Sequence, residues 1–105
     1  MAKFLIQASY TSEGLQGALS EGFATRMDTV TGMINGAGGT IEALYFAYGE
    51  HDVIAIVDGP EEAAISLSLA INASGAVQLS TTPLISIETM DAARGQLPDF
   101  RPPGA

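Results

Sequence analysis

The run Val53-Ile54-Ala55-Ile56-Val57 is apolar at every position, and it follows directly on the polar turn Tyr48-Gly49-Glu50-His51-Asp52. A strand with one wet face alternates apolar and polar residues; a strand without that alternation needs cover on both faces. The residues are β-branched or small, as strands favour, and Gly49 lets the backbone bend before them at little steric cost. The turn therefore delivers His51 and Asp52 to the start of a central strand. That locates a candidate site without naming a reaction.

The neighbouring sequence supplies the partners of this strand. Residues 3–10 read as a first strand, with Phe4, Ile6, Ala8 and Tyr10 on one face and Lys3, Leu5, Gln7 and Ser9 on the other. Thr11 or Ser12 caps a helix whose apolar positions are Leu15, Ala18, Leu19, Phe23, Met27, Val30, Met33 and Ile34, at spacings of three and four. Asn35-Gly36-Ala37-Gly38-Gly39 stops it. A second strand over 40–47 leads into the turn. After the central strand, Asp58-Gly59-Pro60-Glu61-Glu62 predicts a helix start, with Asp58 or Gly59 as cap, proline in the first turn and two carboxylates at the positive end of the dipole. The stretch 65–72 alternates with period two, but the start signal and the length favour helix. A fourth strand over 76–82 runs into Pro83, which belongs at a sheet edge because it has no N–H to donate. A short helix over 87–94 ends at Gly95, and 98–105 is a proline-rich tail.

Strand, helix, strand, strand, helix, strand with right-handed crossovers predicts an α+β, ferredoxin-like sheet of four antiparallel strands, with both long helices on one face. The first and third strands are then central and the fourth is an edge. Two helices cover only one face, so a second subunit's sheet is the expected cover for the other, giving a homodimer or higher homo-oligomer. Residues 1–97 form the domain, and 98–105 are expected to dock on the oligomer. On the second long helix, Ala63, Ala64, Leu67, Ala70 and Ile71 share a face while Ile65 and Leu69 point away from it. This second apolar face asks for a further contact, either with another subunit or with the chain's own tail.

At 105 residues the chain is one domain with a single core. Twelve acidic residues against four basic ones give a net charge of −8, and Lys3, Arg26, Arg94 and Arg101 are scattered singly. A binder of nucleic acid or of an anionic membrane surface needs clustered cations, so neither partner is expected. No apolar run reaches the roughly 18 residues of a membrane span, and the apolar stretch at the start is too short for a signal peptide. A soluble, cytoplasmic protein is the expectation. Without cysteine there are no disulfides, thiolate nucleophiles or cysteine-ligated metals.

Several strings resemble the GYD domain family of the dimeric α/β-barrel group. They are Lys3-Phe4-Leu5-Ile6, Gly38-Gly39, Tyr45-Phe46-Ala47-Tyr48-Gly49, Asp52, Asn72-Ala73-Ser74-Gly75-Ala76-Val77 and Arg101-Pro102-Pro103-Gly104. The eponymous Gly, Tyr and Asp fall on Gly49, His51 and Asp52, so a histidine stands where the family has tyrosine. The resemblance implies a homo-oligomeric, ferredoxin-like barrel and little about chemistry. Monooxygenases, isomerases and haem enzymes share the barrel group, but that is analogy of fold alone.

Arg26 is the anomaly among the side chains. It projects onto the apolar face of the first helix among Leu15, Leu19, Val30 and Met33, with Gly22 one turn earlier. An arginine turned toward a sheet needs a partner. It either lines a helix–sheet cavity and binds a carboxylate or enolate ligand, or pairs with an internal acid such as Asp52, Glu42 or Glu88, or snorkels to solvent. Asp52 is the first choice of partner. His51, the single histidine, is either a general base hydrogen-bonded to Asp52 or Glu50, or a turn residue; it rules out a histidine-pair zinc site. Asp52 is either catalytic or bonded to the backbone of its own turn. Tyr10, Tyr45 and Tyr48 either line a pocket as hydroxyl donors or sit in the core with one wet tip. No metal or cofactor is expected. The leading expectation is a small homo-oligomeric ligand-binding or structural module. The alternative is a cofactor-free enzyme acting on a small apolar or keto-acid compound, and a third reading is a metabolite-sensing regulatory domain.

Overall fold

The computed structural model describes residues 2–105. The first strand, β1 (Ala2–Tyr10), ends where Thr11 caps helix α1 (Ser12–Glu21), its hydroxyl accepting the Gly14 backbone N–H at 3.2 Å. The expected single long helix is broken. Gly22 has φ +96° and ψ 141°, a conformation closed to residues with a Cβ, and a second helix, α2 (Phe23–Gly36), starts beyond it. The break changes what α1 presents to the sheet. Ala18 is buried at its inner face, whereas Leu15 and Leu19 are exposed instead of lining the core. Gly14 lets α1 lie against the chain before the last strand: a Cβ there would stand 1.9 Å from the Ala76 carbonyl oxygen.

Strand β2 (Thr40–Phe46), strand β3 (Val53–Gly59), helix α3 (Glu61–Ala73), strand β4 (Val77–Leu84) and helix α4 (Ile87–Arg94) complete the chain. Strand β3 runs on to Gly59, so Pro60 is the N-cap of α3, in place of the expected Asp58 or Gly59. Period-two patterning in α3 is overridden by its helical start, and Ala70 is exposed where the inner face was expected. The sheet order is β2-β3-β1-β4 with every pairing antiparallel, a ferredoxin-like sheet. β1 and β3 are central and Pro83 lies on the edge strand β4, as its missing donor requires.

The register divides the sheet into two faces. Phe4 pairs with Val57, Ile6 with Ala55 and Ala8 with Val53, and this face lies under α2 and α3. Phe4, Ile34, Ala55 and Val57 form its buried centre, Phe4 being 3% exposed. Phe23 and Phe46 close one margin edge to face, with ring centroids 5.1 Å apart. The other face carries Leu5 opposite Ile56, Gln7 opposite Ile54, and Tyr45 beside Ile54. None of the described helices covers it, and Leu5, Ile54 and Ile56 remain half-buried. Lys3 ties its rim, bonding Glu42 at 2.9 Å and Asp58 at 3.2 Å, which raises the lysine pKa above its ordinary value.

Candidate functional site

Helix α2 turns the stripe Arg26, Val30 and Ile34 toward the sheet, and α3 offers Ala64, Leu67 and Ile71 from the other side. Between them, over β1 and β3, lies a cavity of about 100 Å³. Its walls are almost wholly apolar, with Phe4, Ile6, Leu44 and Ala55 as the floor. The side chains are short over the centre of the sheet, Ala8, Val53 and Ala55, and they do not fill the space between two helices. Tyr10 and Arg26 form the polar end, both half-buried. Asp58 borders the cavity, but its carboxylate is held by Lys3 on the opposite face. Ser68 borders it too, with its hydroxyl engaged by the Ala64 carbonyl at 2.8 Å and by Thr81.

Arg26 does face inward as its helix position implies, but the expected carboxylate partner is not there. Among the described residues no carboxylate lies within 4.0 Å of its guanidinium. Glu42 is bound to Lys3, Glu88 lies on the exposed α4, and Asp52 is otherwise engaged. The Asp52 carboxylate accepts the backbone N–H of Tyr10 at 2.9 Å, and its own N–H donates to the Ala8 carbonyl at 2.8 Å. Asp52 therefore fastens the end of β1 to the start of β3, bonding a neighbouring strand where its own turn was one alternative. The neighbour of Arg26 is the Tyr10 phenol. Burial pushes that hydroxyl above its ordinary range, Arg26 pulls it back, and Asp52 adds a smaller upward push.

The remaining candidates separate from this pair. Ser9 alternates with Tyr10 and so points to the open face; its hydroxyl lies 3.5 Å from His51 Nδ1. His51 accordingly sits across the sheet from Arg26 and cannot serve as a base in the cavity. Tyr45 and Tyr48 are exposed, at 72% and 110%, and neither lines the cavity. Sequence alone does not mark Ser68, Val30 or Leu67 as site residues; the helical stripes that carry Val30 and Leu67 read as core. Among the described residues no three His, Asp or Glu side chains gather in a way that could hold a metal ion, and none of the described helices is long and apolar enough to cross a membrane.

The molecule is thus an α+β domain with a ferredoxin-like sheet and an apolar cavity on the helix side, with the Arg26 guanidinium and the Tyr10 phenol at its end. It belongs to the GYD domain family, which it matches over residues 4–93. Neither the curated proteins nor the solved structures compared with it gave a significant match.

Proposed function

We propose that the protein is a homo-oligomeric binding module for a small, mainly apolar organic acid, held in the cavity with its anionic group on Arg26 and Tyr10. The observation that carries this reading is an inward-facing arginine with no carboxylate of the described residues within 4.0 Å, at the end of an otherwise apolar space. A guanidinium in that setting gains charge-assisted hydrogen bonds from a carboxylate or enolate, and the phenol adds a neutral donor. Size limits the ligand. An apolar cavity of roughly 150 Å³ holds benzene, so one of about 100 Å³ encloses at most a single ring or a short branched chain, with the charged group left at the half-open end.

The open sheet face supports the homo-oligomeric part of this reading. Leu5, Ile54, Ile56 and Tyr45 form an apolar patch there that no helix of the described residues covers, and a second copy of that patch is its natural complement. The cavity lies on the opposite side, so pairing of sheets leaves it free.

Benzoate titrated by isothermal calorimetry tests the site. Saturable binding by wild type, at least tenfold weaker binding by Arg26→Leu and none of uncharged benzamide is the expected pattern. Equal affinity of the two proteins for benzoate contradicts the reading. Because Arg26 has no ion pair to lose, Arg26→Leu should change stability by about 1 kcal/mol or less, so lost binding will not reflect unfolding.

A further inference from the structure

The last fifth of the chain behaves unlike the rest. Every residue from 82 to 105 is exposed, including Ile85, Ile87, Met90, Leu97 and Phe100. Helix α4 makes no substantial packing contact with any other helix or strand of its own chain. The radius of gyration is 17.3 Å, against about 13 Å for a compact domain of this length. This arm is nevertheless built as a folded element: Ser86 caps α4, its hydroxyl accepting the Thr89 N–H at 3.1 Å, and Gly95 closes it. An isolated helix of eight residues is not stable in water. It needs a surface, and its own body does not supply one.

The surface is present on the same chain. Between α3 and β4 runs a shallow groove formed by Ile65, Leu69, Thr81 and Pro83, with Glu61 at its end. Ile65 and Leu69 are 50% and 66% exposed there. Geometry points to a second copy, because Leu84, the last residue of β4, pairs with Lys3 and so leaves from the rim of the open sheet face. Sheet pairing would carry each arm toward the other subunit, and reciprocal exchange closes at two copies. The prolines at 98, 102 and 103 lower the entropy lost when such a segment is ordered.

From these observations we infer that the arm of each copy seats in the α3–β4 groove of a second copy, with Ile87 and Met90, one turn apart, against Ile65 and Leu69. The arrangement rests on the self-association proposed above and adds to it a second interface. It explains why α3 has two apolar faces, one toward the cavity and one toward solvent.

The chain has no cysteine, which makes cross-linking clean. Full-length Leu69→Cys and tagged Met90→Cys proteins, mixed and oxidised, should form a disulfide-linked tagged–untagged dimer. The yield should exceed that of Tyr48→Cys with Met90→Cys at least tenfold, since a disulfide needs Cα atoms within about 7 Å. A yield no better than that control overturns the inference, and so does closure of a Leu69→Cys/Met90→Cys double variant within one chain. Sedimentation equilibrium gives a second reading: Ile65→Glu and Ile87→Glu should each raise the dissociation constant tenfold or more. If both leave it unchanged, the arm is not part of the interface while sheet pairing stands. A wild-type chain that stays monomeric at every concentration removes both.

Discussion

The two faces of the central strands are built from adjacent residues and end in opposite situations. On β1, Phe4 and Ala8 are buried beneath the helices, while Leu5 and Gln7 between and beside them look out from an uncovered sheet. On β3, Val53, Ala55 and Val57 are buried and Ile54 and Ile56 are half-buried. The open face carries an apolar patch at Leu5, Ile54 and Ile56 beside the polar Gln7, Ser80 and Thr82, so the presence of apolar residues alone does not set the roles of the two faces. The difference lies in what stands opposite. The helix side meets small side chains and a gap, which makes a cavity; the other side meets no helix of the described residues, which leaves it open for the sheet pairing proposed above. The proposed binding and the proposed assembly thus fall on separate sides of one four-stranded sheet.

Neighbouring substitutions expose this contrast most strongly. Phe4→Ala removes a buried ring and should cost about 3 kcal/mol or more at any protein concentration. Leu5→Ala, one residue along, should instead lower the melting temperature in a concentration-dependent way, because its loss is felt only in the assembled form. Thermal denaturation at several concentrations separates them. Equal, concentration-independent losses would mean that Leu5 is covered by its own chain.

A smaller effect tests the layer above the sheet. Gly22 has open space around it, so Gly22→Ala meets no clash, yet its φ of +96° belongs to glycine. The substitution should destabilise by about 1–3 kcal/mol. In a continuous helix the same change would stabilise by about 1 kcal/mol. The sign, read from urea denaturation, reports whether α1 and α2 are one helix or two.

That case also shows where the sequence stops being informative. The apolar spacing passes through Gly22 without losing phase, so the break between Glu21 and Phe23 leaves no mark in the pattern, and Leu15 and Leu19 read as core. Strands, sheet order and the edge position of Pro83 are legible because they depend on local period and on a missing donor. The inward position of Arg26 is legible too, since it follows from helical geometry. Its partner is not, because pairing depends on which carboxylates the fold has already engaged; Lys3 and the Tyr10 N–H take Glu42 and Asp52. The face chosen by His51 and the outward position of Tyr48 turn on the bend of a loop, whereas Tyr45 lies outside the cavity because the β2 register, shifted between Ile41 and Ala43, pairs it with Ile54 on the open face. The cavity itself arises from unfilled volume, which no single residue announces.

The smallest expected effect concerns Tyr10. With its pKa raised in the folded state, its contribution to stability is complete below about 10 and is lost as pH rises through the folded value. Arg26→Leu removes the cation that restrains the rise, so Tyr10 should ionise at still higher pH. Ultraviolet titration of both proteins, with Tyr10→Phe versions subtracted, isolates this phenol. An unchanged titration would place Arg26 away from it.

The division of labour between the faces is tested most directly by methyl NMR during a benzoate titration. Saturable shifts at Ile6, Val30, Leu44 and Leu67, with Ile54 and Ile56 unmoved, are the result this account predicts. Shifts centred on Ile54 and Ile56, with the cavity methyls unmoved, would place the ligand on the open face and contradict it.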